Sequence, residues 1–305
     1  MSMPGADHER FRAEHPLLAR AIDAILASVR ETAELLRQGD SSGQVGSVNS
    51  FGDKQLKIDV KADEIIFSNL RSCGAVVTAS SEERPDELDL GGQGFSVAFD
   101  PLDGSSIVDA NFAVGAIFGI WRGAGLLHKT GAEQAAAAYA VYGPRTSVVL
   151  ARPGRDGKLK VEELMLTEQG WLVCREDVRL GEKKVFAPAN LRAAADNKAY
   201  ADFVSACISE KYTLRYTGGF VPDVHHILTK GGGLFLNPTS SGAPAKLRLL
   251  YECAPIAFIV EAAGGASSNG AESVLKMKFD HLDRRTAITL GSREEVARSK
   301  HCLRA

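Results

Sequence analysis

The sequence is short of several things at once, and each shortage removes a class of protein. Only five residues are cysteine (Cys73, Cys174, Cys207, Cys253 and Cys302), an odd number scattered without a CxxC pair. That excludes a disulfide frame and a cysteine zinc site, and the thiols read as buried or free in a reducing compartment. No apolar run approaches the roughly 20 residues that span a bilayer. The net charge is only −2, so no basic excess points to nucleic acid or to an anionic membrane. The first residues, MSMPGADHERF, lack the apolar core of a secretory signal and are too acidic for a transit peptide. The expectation is a cytoplasmic protein, or a plastid one if a leader has been removed. Common catalytic signatures are missing too. The seven histidines form no HExxH, no Ser-His-Asp grouping stands out, and Gly131 and Gly231–Gly233 lack the Gly-Lys-Ser/Thr of a Walker loop. His225 and His226 are adjacent on a predicted helix and read as pointing apart without chemistry.

What remains is an ordinary globular composition, 45% hydrophobic and 24% charged over 305 residues, enough for one large or two medium domains. Leu18, Ile22, Ile25, Val29 and Leu36 recur at helical spacing and predict a helix over 16–37, with Gly39 as its stop. The Gly/Ser-rich stretch 40–50 has no apolar period and reads as a mobile loop. A helix is predicted over 60–70, and strands over 75–79, 95–99, 113–121, 135–142 and 146–151, with Gly143-Pro144 closing a hairpin. After a polar turn at 153–158 come two short strands. Beyond residue 186 helices and strands alternate: helices near 198–209, 222–229 and 255–263, and extended segments at 213–216, 234–237 and 287–290. A division into residues 1–186, a metal- and phosphate-binding half, and 187–305, a substrate-binding half, follows. The whole reads as an α/β protein of stacked helix and sheet layers.

The chain is organised around FDPLDGSS, Phe99–Ser106. Pro101 cannot donate to a β ladder, so it stops the strand, and Gly104 permits a tight turn. Asp100 and Asp103 lie three apart across that turn and can face one side. Hard oxygens at that spacing suit Mg2+, with the Leu102 carbonyl as a further ligand. Past Gly104 the N–H groups of Ser105 and Ser106 are free to hold a phosphate. An Asp-Pro-x-Asp-Gly turn can also serve only to close a strand. The other acidic residues weigh towards chemistry. Asp53 and Asp59 flank KQLKI, Glu82 and Glu83 end a predicted strand, and Glu252 sits inside the apolar run LLYEC. Asp53 and Asp59 could be solvated loop charges, and Glu82 and Glu83 a charged strand exit. Glu252 needs a partner if buried, either a cation or Lys246 or Arg248. Together these carboxylates could hold two or three Mg2+ ions, with one left to take a proton from water. A second theme is cationic and polar: Asn190, Arg192, Arg215, Tyr216 beside the Gly218-Gly219 pair, and Lys246, a set suited to a distal phosphate.

At these residues a resemblance becomes specific. FDPLDGSS, with SSEE, FGDKQLKID, YTGG, KLRLLYE and IVEAAGG, resembles the fructose-1,6-bisphosphatase/sedoheptulose-1,7-bisphosphatase family over about Asn49 to Ser292. The resemblance implies the layered α-β-α-β-α sandwich of the sugar phosphatases and a Mg2+-dependent (or Mn2+-dependent), lithium-sensitive phosphoric monoester hydrolase. It implies metal ligation by Glu82, Asp100, Asp103 and Glu252, with Asp53 and the Leu102 carbonyl contributing. It implies activation of water by Asp59 and Glu83. Gly104, Ser105 and Ser106 would cradle the 1-phosphate, and Asn190, Tyr216, Gly218 and Lys246 would take the distal end. Arg215 would cross into a neighbouring subunit's site, which implies a homodimer or homotetramer.

Departures sort the branches. Asn237 in FLNP replaces a tyrosine of the fructose bisphosphatases, and Gly218-Gly219-Phe220 replaces their Gly-Ser-Met. Arg192 and YGPRT are similar to the sedoheptulose branch, which implies hydrolysis of sedoheptulose 1,7-bisphosphate, with fructose 1,6-bisphosphate or both sugars as the alternative. The segment Arg30 to Leu36 lacks the Thr-Gly-Glu turn that receives AMP, so no AMP inhibition is expected. Ser42 and Ser47 stand where plant relatives carry two cysteines, so activity should be indifferent to dithiols. The stretch 40–50 is expected to close over the metals as a lid.

Overall fold

Phe95, Val97 and Phe99 alternate with smaller residues because they lie on a strand buried on both faces. A computed structural model describes residues 6–38, 44–48 and 54–303 of the chain. In chain order the first elements are α1 (Ala6–Glu14), α2 (Pro16–Arg37), β1 (Gln44–Val48), β2 (Lys54–Leu56), α3 (Lys57–Ser72), β3 (Val76–Ser81), β4 (Leu88–Asp89), β5 (Phe95–Asp103) and the short α4 (Ser105–Val108). A meander follows: β6 (Val114–Arg122), β7 (Gln134–Tyr142), β8 (Thr146–Pro153), β9 (Leu159–Thr167) and β10 (Gly170–Arg175). The rest is β11 (Val185–Pro188), α5 (Lys198–Ser209), β12 (Thr213–Leu214), α6 (Phe220–Lys230), β13 (Leu234–Asn237), α7 (Ala254–Ala262), β14 (Ala266–Ser268), β15 (Ile288–Gly291) and α8 (Arg293–Ser299).

The larger sheet runs β10-β9-β8-β7-β6-β5-β3-β4 and is antiparallel except where β3 lies parallel to β5. A smaller sheet runs β12-β11-β13-β15-β14. Side-chain alternation sorts the layers. Val97, Phe99, Phe118, Ile120 and Ala138 face α2 and α3 in one core. Ala98, Ile117, Ala137 and Tyr139 point the other way, into a second core with α6, α7 and the inner face of the smaller sheet. On that sheet's outer face Phe186, Leu234 and Leu236 pack against Phe203 and Cys207 of α5 and Val296 of α8. The result is helix, sheet, helix, sheet, helix, the expected five-layer α/β sandwich. Alanine repeats along β7 because this strand has helices on both sides, and small side chains let both approach.

Several elements differ from the sequence reading. The strand β1 falls inside the stretch expected to be loop; it pairs with β2 through its backbone, which leaves no apolar period to detect. Gly39, 40–43, 49–50 and Asp53 lie outside the described residues. The helix α1 was not anticipated either. It has almost no apolar face and is held mainly by polar contacts: Arg152, buried, bonds Glu162 at 2.7 Å and Asp7 at 3.0 Å and stacks 4.6 Å over the Phe11 ring.

Candidate active site

The register of β3 against β5 sets the first part of the site. Ser81 pairs with Phe99, so the next residue on each strand, Glu82 and Asp100, emerges side by side. The Glu82 N–H donates to the Phe99 carbonyl at 3.0 Å, which fixes that exit. Phe99 is fully buried, with Phe67 edge-on at 5.1 Å and Phe118 stacked at 6.2 Å, so the base of the site is rigidly packed. The strand β5 does not stop at Pro101 as expected. It continues to Asp103 through a bulge, in which Asp100 pairs with Ile117 but Asp103 with Gly115. An extra residue on one strand shifts the alternation, so residues three apart can share a face, which a regular strand forbids.

Glu252 arrives from the other side of the sandwich. It lies on a π-helical turn, Leu249–Cys253, that runs directly into α7; the Cys253 N–H reaches back five residues to the Arg248 carbonyl. Such one-turn π segments are common at functional sites. There Glu252 is buried, and one carboxylate oxygen accepts the Arg248 N–H at 2.5 Å. Glu82, Asp100 and Glu252 each place one oxygen within 4.8 Å of the others.

Three carboxylates at that spacing repel one another. Burial first, and then the charges of Glu82, Asp103 and Glu252, push the Asp100 carboxyl well above its ordinary range. Burial and Glu82 do the same to Glu252. The Arg248 guanidinium offsets part of this by bonding Glu82 through Nη1 and Asp283 through Nε at 2.8 Å. The donors are all hard oxygens, so the group that fits them is a divalent cation of the Mg2+ type.

Asp103 is not one of the three carboxylates that converge. Its Oδ1 accepts the Phe220 N–H at 3.2 Å and its Oδ2 the Val221 N–H at 2.7 Å, so it caps the start of α6. Burial raises its carboxyl to about 6 against the pull of those two N–H groups. The close approach of α6 depends on Gly115, where a Cβ would lie 2.4 Å from the Val221 Cβ. Leu102 is buried between the two aspartates, its N–H donating to Asp100 Oδ1 at 2.9 Å.

Past the bulge Gly104 adopts φ +86°, a left-handed value that favours glycine, and starts α4. The backbone N–H groups of Ser105 and Ser106 make no hydrogen bond among the described residues. Asp59 is not a loop charge: it is buried in the first turn of α3. Glu83 follows Glu82 in the same turn, its N–H bonded to Ser81 Oγ at 3.1 Å. One turn beyond Asp59, Asp63 is also buried, bonds Arg84 at 2.8 Å and so braces that turn. Burial raises the Asp63 carboxyl to about 6 against Ser81 and Arg84. The sequence reading missed Asp63, although its i, i+4 spacing from Asp59 puts both on one helix face.

The cationic set is spread along the smaller sheet. Asn190 has φ +48°, and its amide nitrogen is spent on the loop after β13, at 2.8 Å from the Pro238 carbonyl and 3.1 Å from that of Ala243. Arg192 is exposed and close enough to Tyr216 to act on its hydroxyl. Arg215 and Lys246 are exposed, and Tyr216 is half-exposed. His225 bonds Tyr139 at 3.1 Å and Thr229 at 3.3 Å, and burial lowers it to about 4; His226 lines the same surface cavity as His225.

Comparison with known sequences gives the class. Residues 8–173 match the family described as Fructose-1-6-bisphosphatase, N-terminal domain, and residues 180–304 the corresponding C-terminal domain. The chain belongs to the fructose-1,6-bisphosphatase family. Within it, the chain is 50% identical over 266 residues to the chloroplastic sedoheptulose-1,7-bisphosphatase of Spinacia oleracea, covering 86% of this chain and 68% of that protein. It is 41% identical over 269 residues to the class 1 fructose-1,6-bisphosphatase of Citrifermentans bemidjiense, covering 86% and 79%. Among solved structures, a Toxoplasma gondii protein provisionally named a sedoheptulose-1,7 bisphosphatase superposes with TM-score 0.90 at 39% identity, covering 98% of each chain. Leishmania major fructose-1,6-bisphosphatase in its holo form gives 0.87 at 28% identity, covering 96% and 97%.

Proposed function

We propose that this chain hydrolyses sedoheptulose 1,7-bisphosphate to sedoheptulose 7-phosphate and inorganic phosphate. The observation that carries the reading is the Glu82–Asp100–Glu252 group, with Asp100 and Glu252 buried and Glu82 partly so, which costs stability unless a cation accompanies it. In this reading those residues hold Mg2+, joined by Asp103, the Leu102 carbonyl and Asp53; Asp53 lies outside the described residues. A bound divalent cation supplies Lewis-acid polarisation of the phosphoryl group, a more acidic water and charge neutralisation for the departing alkoxide. Gly104, Ser105 and Ser106 hold the 1-phosphate against the bulge through their free backbone N–H groups. Asp59 and Glu83 take a proton from water as its oxygen bonds to phosphorus. The bond from phosphorus to the sugar's C1 oxygen breaks, and that oxygen gains a proton.

The distal phosphate falls to Arg192, Arg215, Tyr216 and Lys246, with Asn190 and Gly218 shaping the pocket wall. Arg215 works from a neighbouring subunit in a homodimer or homotetramer. The preference for a seven-carbon sugar rests on Asn237 at the end of β13 and on Gly219. The experiment is phosphate release from sedoheptulose 1,7-bisphosphate and fructose 1,6-bisphosphate with Mg2+, and again with chelator or Li+. A higher kcat/KM on the seven-carbon sugar, abolished by chelator, is expected. Preference for the six-carbon sugar would reassign the substrate, and full activity in chelator would remove the metal centre from the chemistry.

A further inference from the structure

The backbone between Tyr216 and α6 is held by side chains to an unusual degree. The Thr217 N–H donates to Asp223 Oδ1 at 2.6 Å and the Gly218 N–H to Asp223 Oδ2 at 3.3 Å. The Gly219 N–H donates to Thr217 Oγ1 at 3.3 Å. The next two, Phe220 and Val221, donate to Asp103. Five consecutive amides thus find side-chain acceptors, four of them on two buried carboxylates from different parts of the fold. Asp223 is fully buried on the first turn of α6, an expensive place for a carboxylate. Both its oxygens turn backwards onto the loop instead of along the helix. On the far side of that loop the Arg215 N–H is tied to the Phe186 carbonyl at 2.9 Å, so Arg215 and Tyr216 sit between two fixed points.

We infer that Asp223 is a positioning residue for the substrate: its carboxylate fixes the Thr217–Gly218 backbone, and so the reach of Arg215 and Tyr216 towards the distal phosphate, without touching the sugar. This rests on the proposed assignment of Arg215 and Tyr216 to that phosphate. A carboxylate is required because it accepts twice; an amide of the same shape accepts through one atom and presents a donor to the other N–H. With Asp223→Asn the Thr217–Gly218 turn loosens while the Asp103 cap on α6 and the carboxylate cluster stay in place.

The test compares the parent enzyme and Asp223→Asn on sedoheptulose 1,7-bisphosphate and on p-nitrophenyl phosphate, which has no distal phosphate. KM for the bisphosphate should rise about tenfold with kcat within about twofold, the pattern of lost binding without lost chemistry, and p-nitrophenyl phosphate turnover should not change. Amide hydrogen exchange should be slow at Thr217 and Gly218 in the parent. In the variant it should be fast there and still slow at Phe220 and Val221. An unchanged KM, or equal losses on both substrates, overturns the inference. If Asp223→Asn does not fold, the parent's exchange rates decide: unprotected amides at 217 and 218 mean that no clamp exists. If the parent does not cleave the bisphosphate, the substrate assignment fails, while the exchange pattern reports on the clamp separately.

Discussion

Removing one charge from the carboxylate cluster should stabilise the metal-free protein while destroying its activity, and Glu252→Gln is the cleanest way to do it. The glutamine keeps an oxygen for the Arg248 N–H that now bonds Glu252 at 2.5 Å, and its amide nitrogen can donate to Glu82 or Asp100. The Coulomb term follows from the spacing. Oxygens of like charge within 4.8 Å, at an effective dielectric of about 20, repel by about 3 kcal/mol per pair. Protonation of the cluster and the Arg248 guanidinium already relieve part of this, so a net gain of about 1–3 kcal/mol is expected. For a chain of 305 residues this raises Tm by about 2–5 °C in chelator. Mg2+ should reverse the order, since the parent gains stability by binding it and the variant has lost a ligand. In the same preparations kcat should fall by at least ~10²-fold. The assay is a pair of thermal melts, with chelator and with Mg2+, beside phosphate release. If Glu252→Gln melts below the parent in chelator, the carboxylates are not working against the fold and the case for a cation between them fails.

Gly115→Ala would put a Cβ 2.4 Å from the Val221 Cβ, pushing α6 off Asp103; a loss of about 2–4 kcal/mol in denaturant unfolding and a parallel fall in kcat are expected. Asp63 has its carboxyl raised from 3.8 to about 6, so its ionised form is the less favourable one in the fold. Its contribution of about 3 kcal/mol is therefore present below pH 4, lost as pH rises to 6 and flat above, and Asp63→Asn should flatten that slope in unfolding measured from pH 4 to 7. Serine at Gly219 would meet Pro222 Cγ at 2.8 Å, so Gly219→Ser alone should cost activity on both sugars. Combined with Pro222→Ala and Asn237→Tyr it should move the kcat/KM ratio towards fructose 1,6-bisphosphate, and an unmoved ratio would take these positions out of specificity.

The sequence made the carboxylates visible wherever their local setting was anomalous. Glu252 stood out because a charge inside LLYEC needs a partner whatever the fold. FDPLDGSS stood out because proline and glycine bracket two aspartates. The layers were legible from periodicity, since β5 and α2 bury faces whose spacing survives in one dimension. What stayed hidden was the choice of partner. Arg248 could equally have served as a surface cation, and only the fold brings its guanidinium to Glu82 and Asp283. Asp63 and Asp223 looked like ordinary helical acids; both are buried, each bonded to a segment that no local pattern connects with it. The cap that Asp103 gives α6 spans more than a hundred residues and has no signature in either stretch.

Beyond the β3/β5 register that sets Glu82 beside Asp100, the devices that shape the site are departures from regular geometry. Asp103 is turned by a bulge, Glu252 by a π turn, and the N–H groups of Ser105 and Ser106 follow a left-handed glycine. Regular elements would have served the packing better, since a bulge forfeits a ladder bond and a π turn widens the helix. Irregularities of this kind persist where the surrounding structure over-determines them, and here it does. Phe99 locks β5 between Phe67 and Phe118, α7 continues directly from the π turn, and Asp103 pins α6 through two N–H groups. The well-packed layers thus hold mutually repelling charges at a spacing they would otherwise leave. Because the frame has already met that cost, a cation that enters finds its ligands in place, and its binding energy is not spent on gathering them.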